Sequence, residues 1–350
     1  MNADTYSELQ VDTRGEFGGL GIEITVKDGM LTVIAAIEDS PAYRAGVQSG
    51  DQIIKIEDEF AKDMSMVDAV KKMRGPKGST VKIAVHRKNR KELVPFSIVR
   101  DVIKVKSVRF RKLENGYGYI RLVQFQEDSS SEFENALQQL SKESPDKQLK
   151  GLVIDLRNNP GGLLNQATRI GDIFLKEGVI VYTDGRLESQ KQKYYAHDDG
   201  DEPTFPIVTI VNGGSASASE IVSGALQDAA RSVILGTQTF GKGSVQTILP
   251  LDGGGALRLT TALYFTKSGR SIQSEGVTPN VVVQGKDEGD DDEEGDEGSD
   301  LYPRKERDLP GALKNPQAGD DAKKGEKEKA PAGNIEGSSD KDNSSKVHGD

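Results

Sequence analysis

The sequence predicts an α/β layered domain, preceded by a smaller α+β unit and followed by an acidic segment with no core of its own. Three observations predict it. Between residues 101 and 284, β-branched apolar runs alternate with stretches of helical spacing, the pattern of a layered α/β sheet. Residues 16–100 are short strand-like runs cut by glycine turns, with two short helices. From Gly285 onward 20 acidic and 11 basic side chains dominate and large apolar groups almost vanish, so residues 285–350 cannot offset their ordering entropy and read as a disordered tail.

Composition narrows the function. The 350 residues leave room for two domains with sizeable cores. The net charge of −10 sits almost wholly in the tail, because residues 1–284 carry 36 acidic against 35 basic side chains. No basic face or nucleic-acid motif is present, so nucleic acid is not an expected partner. There is no cysteine for a disulfide, a thiol nucleophile or a thiolate metal site, and His86, His197 and His348 lie far apart. Neither a metal nor a cofactor is therefore expected. No apolar run approaches the roughly 20 residues a membrane helix needs. Met1-Asn-Ala-Asp opens in polar sequence with no export signal.

Residues 1–15 are polar, carry no strong period and read as a linker. Phe17 to Val26 is a glycine turn feeding a strand, and Met30–Ile37 is a second strand. Ser40-Pro41 caps a short helix, and Gly50-Asp-Gln-Ile-Ile54 turns into a strand. Ser65 caps an amphipathic helix to Met73, and Gly75-Pro-Lys-Gly78 turns into the strands Val81–Val85 and Leu93–Ile98. These glycine turns, in this order over residues 16–100, resemble a PDZ domain of the bacterial protease type. The resemblance implies that a peptide adds as a strand beside Ile22–Val26, against the Ser65–Met73 helix. Its terminal carboxylate would meet the turn Gly19, Leu20, Gly21 and Ile22. An apolar, uncharged C-terminus should bind best, since Ile22, Val67 and Val70 line the groove and a buried charge would go unpaired. Arg74, at the end of the groove helix, is a candidate relay of occupancy, or simply a cation at a helix C-terminus.

In the larger domain, residues 101–284, Tyr117–Phe125 is a strand and Ser130–Leu140 a helix. Leu152–Leu156 is a buried strand that stops at Arg157-Asn-Asn-Pro-Gly-Gly162, before a helix from Leu163 to Leu175. Strands follow at Val179–Thr183, Lys191–Ala196, Ile207–Val211, Val233–Leu235, Gly243–Leu249 and Ala256–Tyr264. Leu301–Leu309 interrupts the tail and is a candidate for local docking, with a solvated tail as the favoured reading.

The chemistry centres on Val211-Asn-Gly-Gly-Ser-Ala-Ser-Ala-Ser-Glu220, a turn between a buried strand and a helix from Ser219. A serine at such a helix start has free amides beside it to bind an oxyanion. Ser215, Ser217 and Ser219 are either ordinary helix caps or nucleophiles, and we favour Ser217. Lys242, between Gly241 and Gly243, is the available base. To act as one, a lysine must fall from about 10.4 to near 7–8, a shift worth roughly 4 kcal/mol. Burial without a carboxylate partner gives that direction, and no acid is adjacent in sequence. Gln246 lies along a strand on the same side as Ser244 and could hold the amine without adding charge, although its spacing alone favours an ordinary exposed strand residue. A rival reading takes Gly236-Thr-Gln-Thr-Phe-Gly-Lys242 as a phosphate loop. It fails because Val245–Leu249 continues as a strand, where a phosphate loop must open a helix.

Val211–Glu220 with Gly224-Ala-Leu226, Thr239-Phe-Gly-Lys-Gly243, Gln246 and Asp155-Leu-Arg-Asn-Asn-Pro-Gly-Gly162 resembles the carboxyl-terminal processing (tail-specific) serine peptidases. The resemblance runs from about Phe17 to Val283. It implies a crotonase-like or ClpP-like core with an inserted or preceding PDZ domain, and Ser217, Lys242 and Gln246 as nucleophile, base and orienter. The oxyanion donors would be the amides of Gly162 and Ala218, with Gly161 a substitute for the first. Substrates would be proteins and peptides, the site of action the periplasm or another extracytoplasmic space, and a homo-oligomer is left open. Relatives carry an export signal and a helical segment ahead of the matching residues, so Met1 is expected to be internal to a longer protein and the linker 1–15 to be the remnant of that helical segment. The alternative function class is a PDZ binding scaffold with a silent hydrolase-like domain. Intact Ser217, Lys242 and Gln246 argue against it.

Overall fold

The computed structural model describes residues 1–27, 29–144, 147–283 and 305–317. Residues 1–15, which show no period and are expected to be a linker left from a helical segment, form a regular helix, α1 (Ala3–Arg14). Asn2 caps it by accepting from Thr5 N, and Gly15 closes it in the left-handed region (φ 72°). A polar helix without an apolar stripe shows no sequence period. Its order comes instead from what it touches: Met1 exchanges backbone hydrogen bonds with Ala256, and Asp4 pairs with Lys71 at 2.8 Å.

Strand β1 (Glu16–Gly19) leads into an antiparallel sheet of β2 (Ile22–Lys27), β3 (Met30–Ala36), β4 (Gln52–Ile56), β6 (Thr80–His86) and β7 (Val94–Val99), in the order β2-β3-β4-β6-β7. A short β5 (Glu59–Phe60) pairs with β4, and helices α2 (Pro41–Ala45) and α3 (Met66–Met73) complete the unit. Ser40 and Ser65 cap these helices through their hydroxyls, as expected. Ile53, Ile56, Ala69, Val81, Ile83 and Val85 form a core separate from that of the larger domain. Strand β8 (Asp101–Lys104) returns to pair with β1, so the two chain crossings are hydrogen-bonded together. Strands β8 and β9 (Val108–Lys112) lie ahead of Tyr117, where the sequence reading named no element.

The larger sheet has the order β18-β15-β14-β11-β10-β9. Strands β10 (Tyr117–Leu122), β11 (Gly151–Asp155), β14 (Ile207–Val211), β15 (Ser232–Gly236) and β18 (Val281–Val282) are parallel, and β9 is antiparallel to β10. Helices α4 (Ser129–Glu143), α5 (Leu164–Asp172) and α6 (Ala218–Asp228) contribute to the same buried cluster as these strands. Phe133 and Phe174 meet edge to face at 5.9 Å within it. An antiparallel sheet, β13 (Gln192–Tyr195), β12 (Val179–Gly185), β17 (Ala256–Phe265) and β16 (Ser244–Pro250), lies alongside. Residues 305–313, expected within the solvated tail, carry a short 3₁₀ turn (Glu306–Asp308) and hydrogen-bond to the core. They reach it through polar and main-chain contacts, which apolar counting cannot register; Leu301–Arg304 and the remainder of the tail lie outside the described residues.

Both aromatic rings in the pair are essentially removed from solvent. Phe133→Ala should therefore lower the unfolding free energy by about 3–5 kcal/mol, whereas Phe110→Ala, on the exposed face of β9, should cost under about 1 kcal/mol. Urea denaturation of the two variants checks this, and equal losses would contradict the core assignment.

Candidate active site

Strands β11, β14 and β15 run side by side and end in register, Asp155 opposite Ile210 and Val211 opposite Gly236. Their following loops therefore emerge at one edge of the sheet, the carboxyl edge where open α/β sheets bind ligands. The first loop carries Gly161 and Gly162, the second Ser217 and the third Lys242, so residues up to 81 positions apart in sequence meet there.

The second loop sorts the three serines. Ser215 is fully buried, with Oγ donating to Leu156 O (2.8 Å) and accepting from Asn212 N (3.0 Å). Ser219 is also fully buried, its Oγ donating to Asn159 O (3.0 Å). Both hydroxyls hold the loop. Ser217 keeps 9% of its surface and lines a cavity of about 680 Å³. It sits in a strained conformation, φ 53° and ψ −111°, which costs a non-glycine residue on the order of 1–3 kcal/mol. The strain is held by its surroundings: Ala216 N donates to Asn159 O (3.0 Å) and Ser217 N to Glu220 Oε2 (2.7 Å).

Three amides bear on the oxyanion expectation, those of Ala218, Gly161 and Gly162. Ala218 is the first residue of α6, so its N–H has no intrahelical acceptor. In the first loop, Gly161 N donates to Asn159 Oδ1 (2.9 Å) and is engaged. The bridge between Phe125 and Gly162 uses Gly161 O and Leu163 N, which leaves Gly162 N–H outside it. This favours Gly162 over Gly161. Neither glycine tolerates a side chain: at φ 97° and 142°, a Cβ would come within 2.8 Å of Ser217 Cβ or 2.1 Å of Phe125 O. Asp155 does not reach the cavity. Although burial opposes it, the Arg157 fork (2.7 Å) and the Tyr119 hydroxyl (2.6 Å) hold its carboxyl below the usual range, which braces the base of this loop.

Lys242, half-buried, lines the same cavity, as do Gln246, Tyr194 and Tyr264. A bulge between Val245 and Gln246 breaks the simple alternation of β16, yet both Ser244 and Gln246 face the cavity wall. Among the described residues Lys242 forms no ion pair, and no hydrogen bond joins it to Gln246. The expectation that no acid stands near Lys242 needs correction. Glu220, fully buried, accepts from Lys242 N (2.9 Å), Gly241 N (2.6 Å) and Thr239 Oγ1 (2.6 Å) as well as from Ser217 N. The fold brings it from 22 positions upstream, and it touches the Lys242 backbone, not the amine. Ser217-x-x-Glu220 has capping-box spacing, the one sequence signal that could have singled it out.

In the smaller domain, Gly19, Leu20, Gly21 and Ile22 line a groove of about 140 Å³ with Phe17, Ile24, Val70, Met73 and Arg74. Val67 faces instead a wider cavity of about 680 Å³ between α3 and α1, continuous with the groove at Phe17, Val70 and Arg74. Arg74 stacks its guanidinium over Phe17 at 4.6 Å. It is not the cation that satisfies the end of α3; Arg100 does so, donating to Lys72 O (2.7 Å) and Met73 O (3.1 Å). Helix α1 has a part that sequence did not anticipate: Asp4, Glu8 and Val11 line the cavity beside α3, Leu9 and Thr13 line the Ser217 cavity, and Asp12 lines both.

Burial pushes the Glu220 carboxyl up to about 7, against the four donors that pull it down. The folded protein then holds this proton more tightly than the unfolded chain, so stability should fall as pH rises from about 4.5 to about 7 and level off above, by roughly 3 kcal/mol in all. Glu220→Gln, which cannot ionise, should flatten that slope while losing about 1–3 kcal/mol where its NH2 faces a donor. Urea midpoints across pH 4–8 read both effects; an unchanged slope in the variant would reassign the titration.

Residues 116–283 match Peptidase family S41, and residues 18–98 match the PDZ domain. The Carboxy-terminal-processing protease of Bartonella bacilliformis is 48% identical over 81% of this chain and 65% of its own length. The Carboxyl-terminal-processing protease of a Picosynechococcus species is 37% identical over 81% of this chain and 68% of its own length. The chain thus spans about two thirds of the length of these relatives. A crystal structure from Bacteroides fragilis, assigned to the S41 proteases, shares the fold with a TM-score of 0.50 at 17% identity, covering 76% of each chain. With a relative 37% identical over two thirds of that relative's length, and the PDZ and S41 matches lying on the two cores described above, the chain belongs to peptidase family S41.

Proposed function

We propose that this chain is a serine endopeptidase that selects protein substrates by their C-terminus through the PDZ unit and cleaves them with Ser217 and Lys242. The observation that carries the reading is the sorting of the serines: Ser217, alone of three within five residues, opens onto the cavity that Lys242 also lines. Lys242 in its neutral form takes the proton from Ser217 Oγ as that oxygen attacks the scissile carbonyl. The developing oxyanion is met by the amides of Gly162 and Ala218, and the lysine returns the proton to the leaving amine. In the second half, Lys242 takes a proton from water as it attacks the acyl carbon, and passes that proton to Ser217 Oγ as the bond from the carbonyl carbon to Oγ breaks. Gln246 orients the ammonium without adding charge. The strain at Ser217 and the bonded amides around it place the oxygen before substrate arrives, which reduces the reorganisation needed in the transition state. The location that goes with this reading is the periplasm or another extracytoplasmic space, a proposal supported by the resemblance alone; no helix among the described residues is long and apolar enough to cross a membrane.

A bound C-terminus lies between β2 and α3, with its carboxylate at the Leu20–Gly21 turn and its apolar side chains against Ile24, Val70 and Met73. Helix α1 gives this groove a physical neighbour in the Ser217 cavity, through Asp12.

Ser217→Ala and Lys242→Ala should each abolish peptide-bond cleavage and leave the melting temperature near that of the parent. Ser215→Ala and Ser219→Ala should cost about 1–3 kcal/mol of stability, since each removes a buried partner, and retain cleavage in the folded fraction. Loss of cleavage in folded Ser215→Ala would overturn the assignment of Ser217. Because the lysine must be neutral to act, chemistry-limited turnover should rise with pH through the neutral range, and a flat profile from pH 5 to 9 would exclude a lysine base.

One substrate protein, with a free apolar C-terminus or with that end amidated, tests the PDZ role. The free form should be degraded at least several-fold faster, and Arg74→Ala should narrow the difference. Equal rates for both forms would remove the PDZ unit from substrate choice.

A further inference from the structure

The described stretch from Lys305 to Asn315 lands on two loops, and both of them hold Lys242. At one end Lys305 Nζ donates to Gln238 Oε1 (2.9 Å) and Glu306 N to Phe240 O (3.0 Å), which attaches the stretch to the Lys242 loop directly. At the other end Leu313 O accepts from Gln273 Nε2 (3.0 Å) and Ser274 Oγ (2.9 Å).

The second attachment also leads back to Lys242. Gln273 is fully buried, and its Oε1 accepts from Gly243 N (3.1 Å) while its NH2 faces Leu313. A buried amide pays for any unmet donor or acceptor, so the Leu313 carbonyl fixes which way this amide points and therefore whether Gly243 N has a partner. Ser274 stands in the left-handed region at φ 65°, bonded through its hydroxyl to Leu313, and its N–H donates to Gly241 O (2.8 Å). The residues immediately before and after Lys242 are each one residue removed from Leu313. The Lys242 loop has no regular secondary structure, so its shape depends on such external bonds.

We infer that residues 305–313 are a strap that positions the Lys242 loop, so that the competent core extends past the end of β18 and includes a segment beyond an acidic stretch of the sequence. This rests on Lys242 being the general base. Three of the strap's four bonds to these loops use its own main-chain groups, Glu306 N and Leu313 O, and Leu309 and Leu313 stay more than a third exposed, so it adds little apolar burial to the fold. Its loss should loosen one loop and not the sheet.

The test keeps the full chain and replaces Lys305–Leu313 with a glycine–serine stretch of equal length. With a peptide substrate of free C-terminus, kcat should fall about tenfold or more while KM stays within about twofold. Hydrogen exchange at Gly241 and Gly243 should accelerate at least about tenfold, with the amides of β14 unchanged. Unchanged kcat and unchanged exchange would overturn the strap. So would a uniform rise of exchange through the sheet with a lowered melting temperature, which would mean a general structural role. Exchange judges the strap without any cleavage assay; absence of cleavage by the unaltered chain would count against the peptidase reading alone. As a second variant, Gln273→Glu keeps the acceptor for Gly243 N and removes the donor to Leu313 O. It should show the same kcat loss at unchanged KM, and parental kinetics would speak against this connection.

Discussion

Glu220 holds two loops in one relation. Its carboxylate lies in a fully buried position and accepts from the amides of Ser217, Gly241 and Lys242 and from the hydroxyl of Thr239. Three of those four donors belong to the loop after β15 and one to the loop after β14, so a single side chain sets the distance between the turn of the candidate nucleophile and the loop of the candidate base. Such a network is stable only when every member is satisfied, because an unpaired buried carboxylate or amide is costly. Thr239 shows how far the constraint spreads: its hydroxyl donates to Glu220 and accepts from Val277 N (2.7 Å), which ties the loop to the chain just before β18.

The sheet supplies what Glu220 joins. Parallel strands deliver their loops to one edge, and the registers of β11, β14 and β15 bring the glycine pair, the serine and the lysine to that edge together. Asn159 links the first two loops: its Nδ2 donates to Leu122 O, its Oδ1 accepts from Gly161 N, and its carbonyl accepts from Ala216 N and Ser219 Oγ. The cavity therefore has rigid walls on the sheet side. Its other walls come from the β16–β17 hairpin and from α1, elements that also meet each other where Met1 bonds to Ala256.

Helix α1 gives the small domain a route to the large one. The two hydrophobic cores are separate, and the paired crossings β1 and β8 form one connection between them. α1 adds a second, bonded to α3 through Asp4 and Lys71 and to the large domain through Thr13 O, which accepts from Glu127 N (3.1 Å). An exposed ion pair is worth little by itself, so this contact can rearrange at small cost when the groove beside it is occupied.

Much of this was legible in the sequence. Period-two and period-3.6 patterns report apolar burial, and they placed the strands Ile207–Val211 and Leu152–Leu156, the caps Ser40 and Ser65, and the strand-turn-helix around Ser217. The glycines of the first loop were singled out by the family resemblance and not by local pattern, and the structure gives a physical reason for glycine there, a backbone at φ 97° and 142° pressed against Ser217 and Phe125. Local pattern carries no information about polar contacts made across the fold. Glu220 had no role of its own in that reading, residues 1–15 showed no helical period and residues 305–313 fell within the tail, since none of them buries an apolar face. Which serine is open, which glycine amide is unengaged and which acid stands under Lys242 were decided only when three strand ends met, because hydrogen-bond partners are chosen by distance in space and sequence spacing does not set that distance.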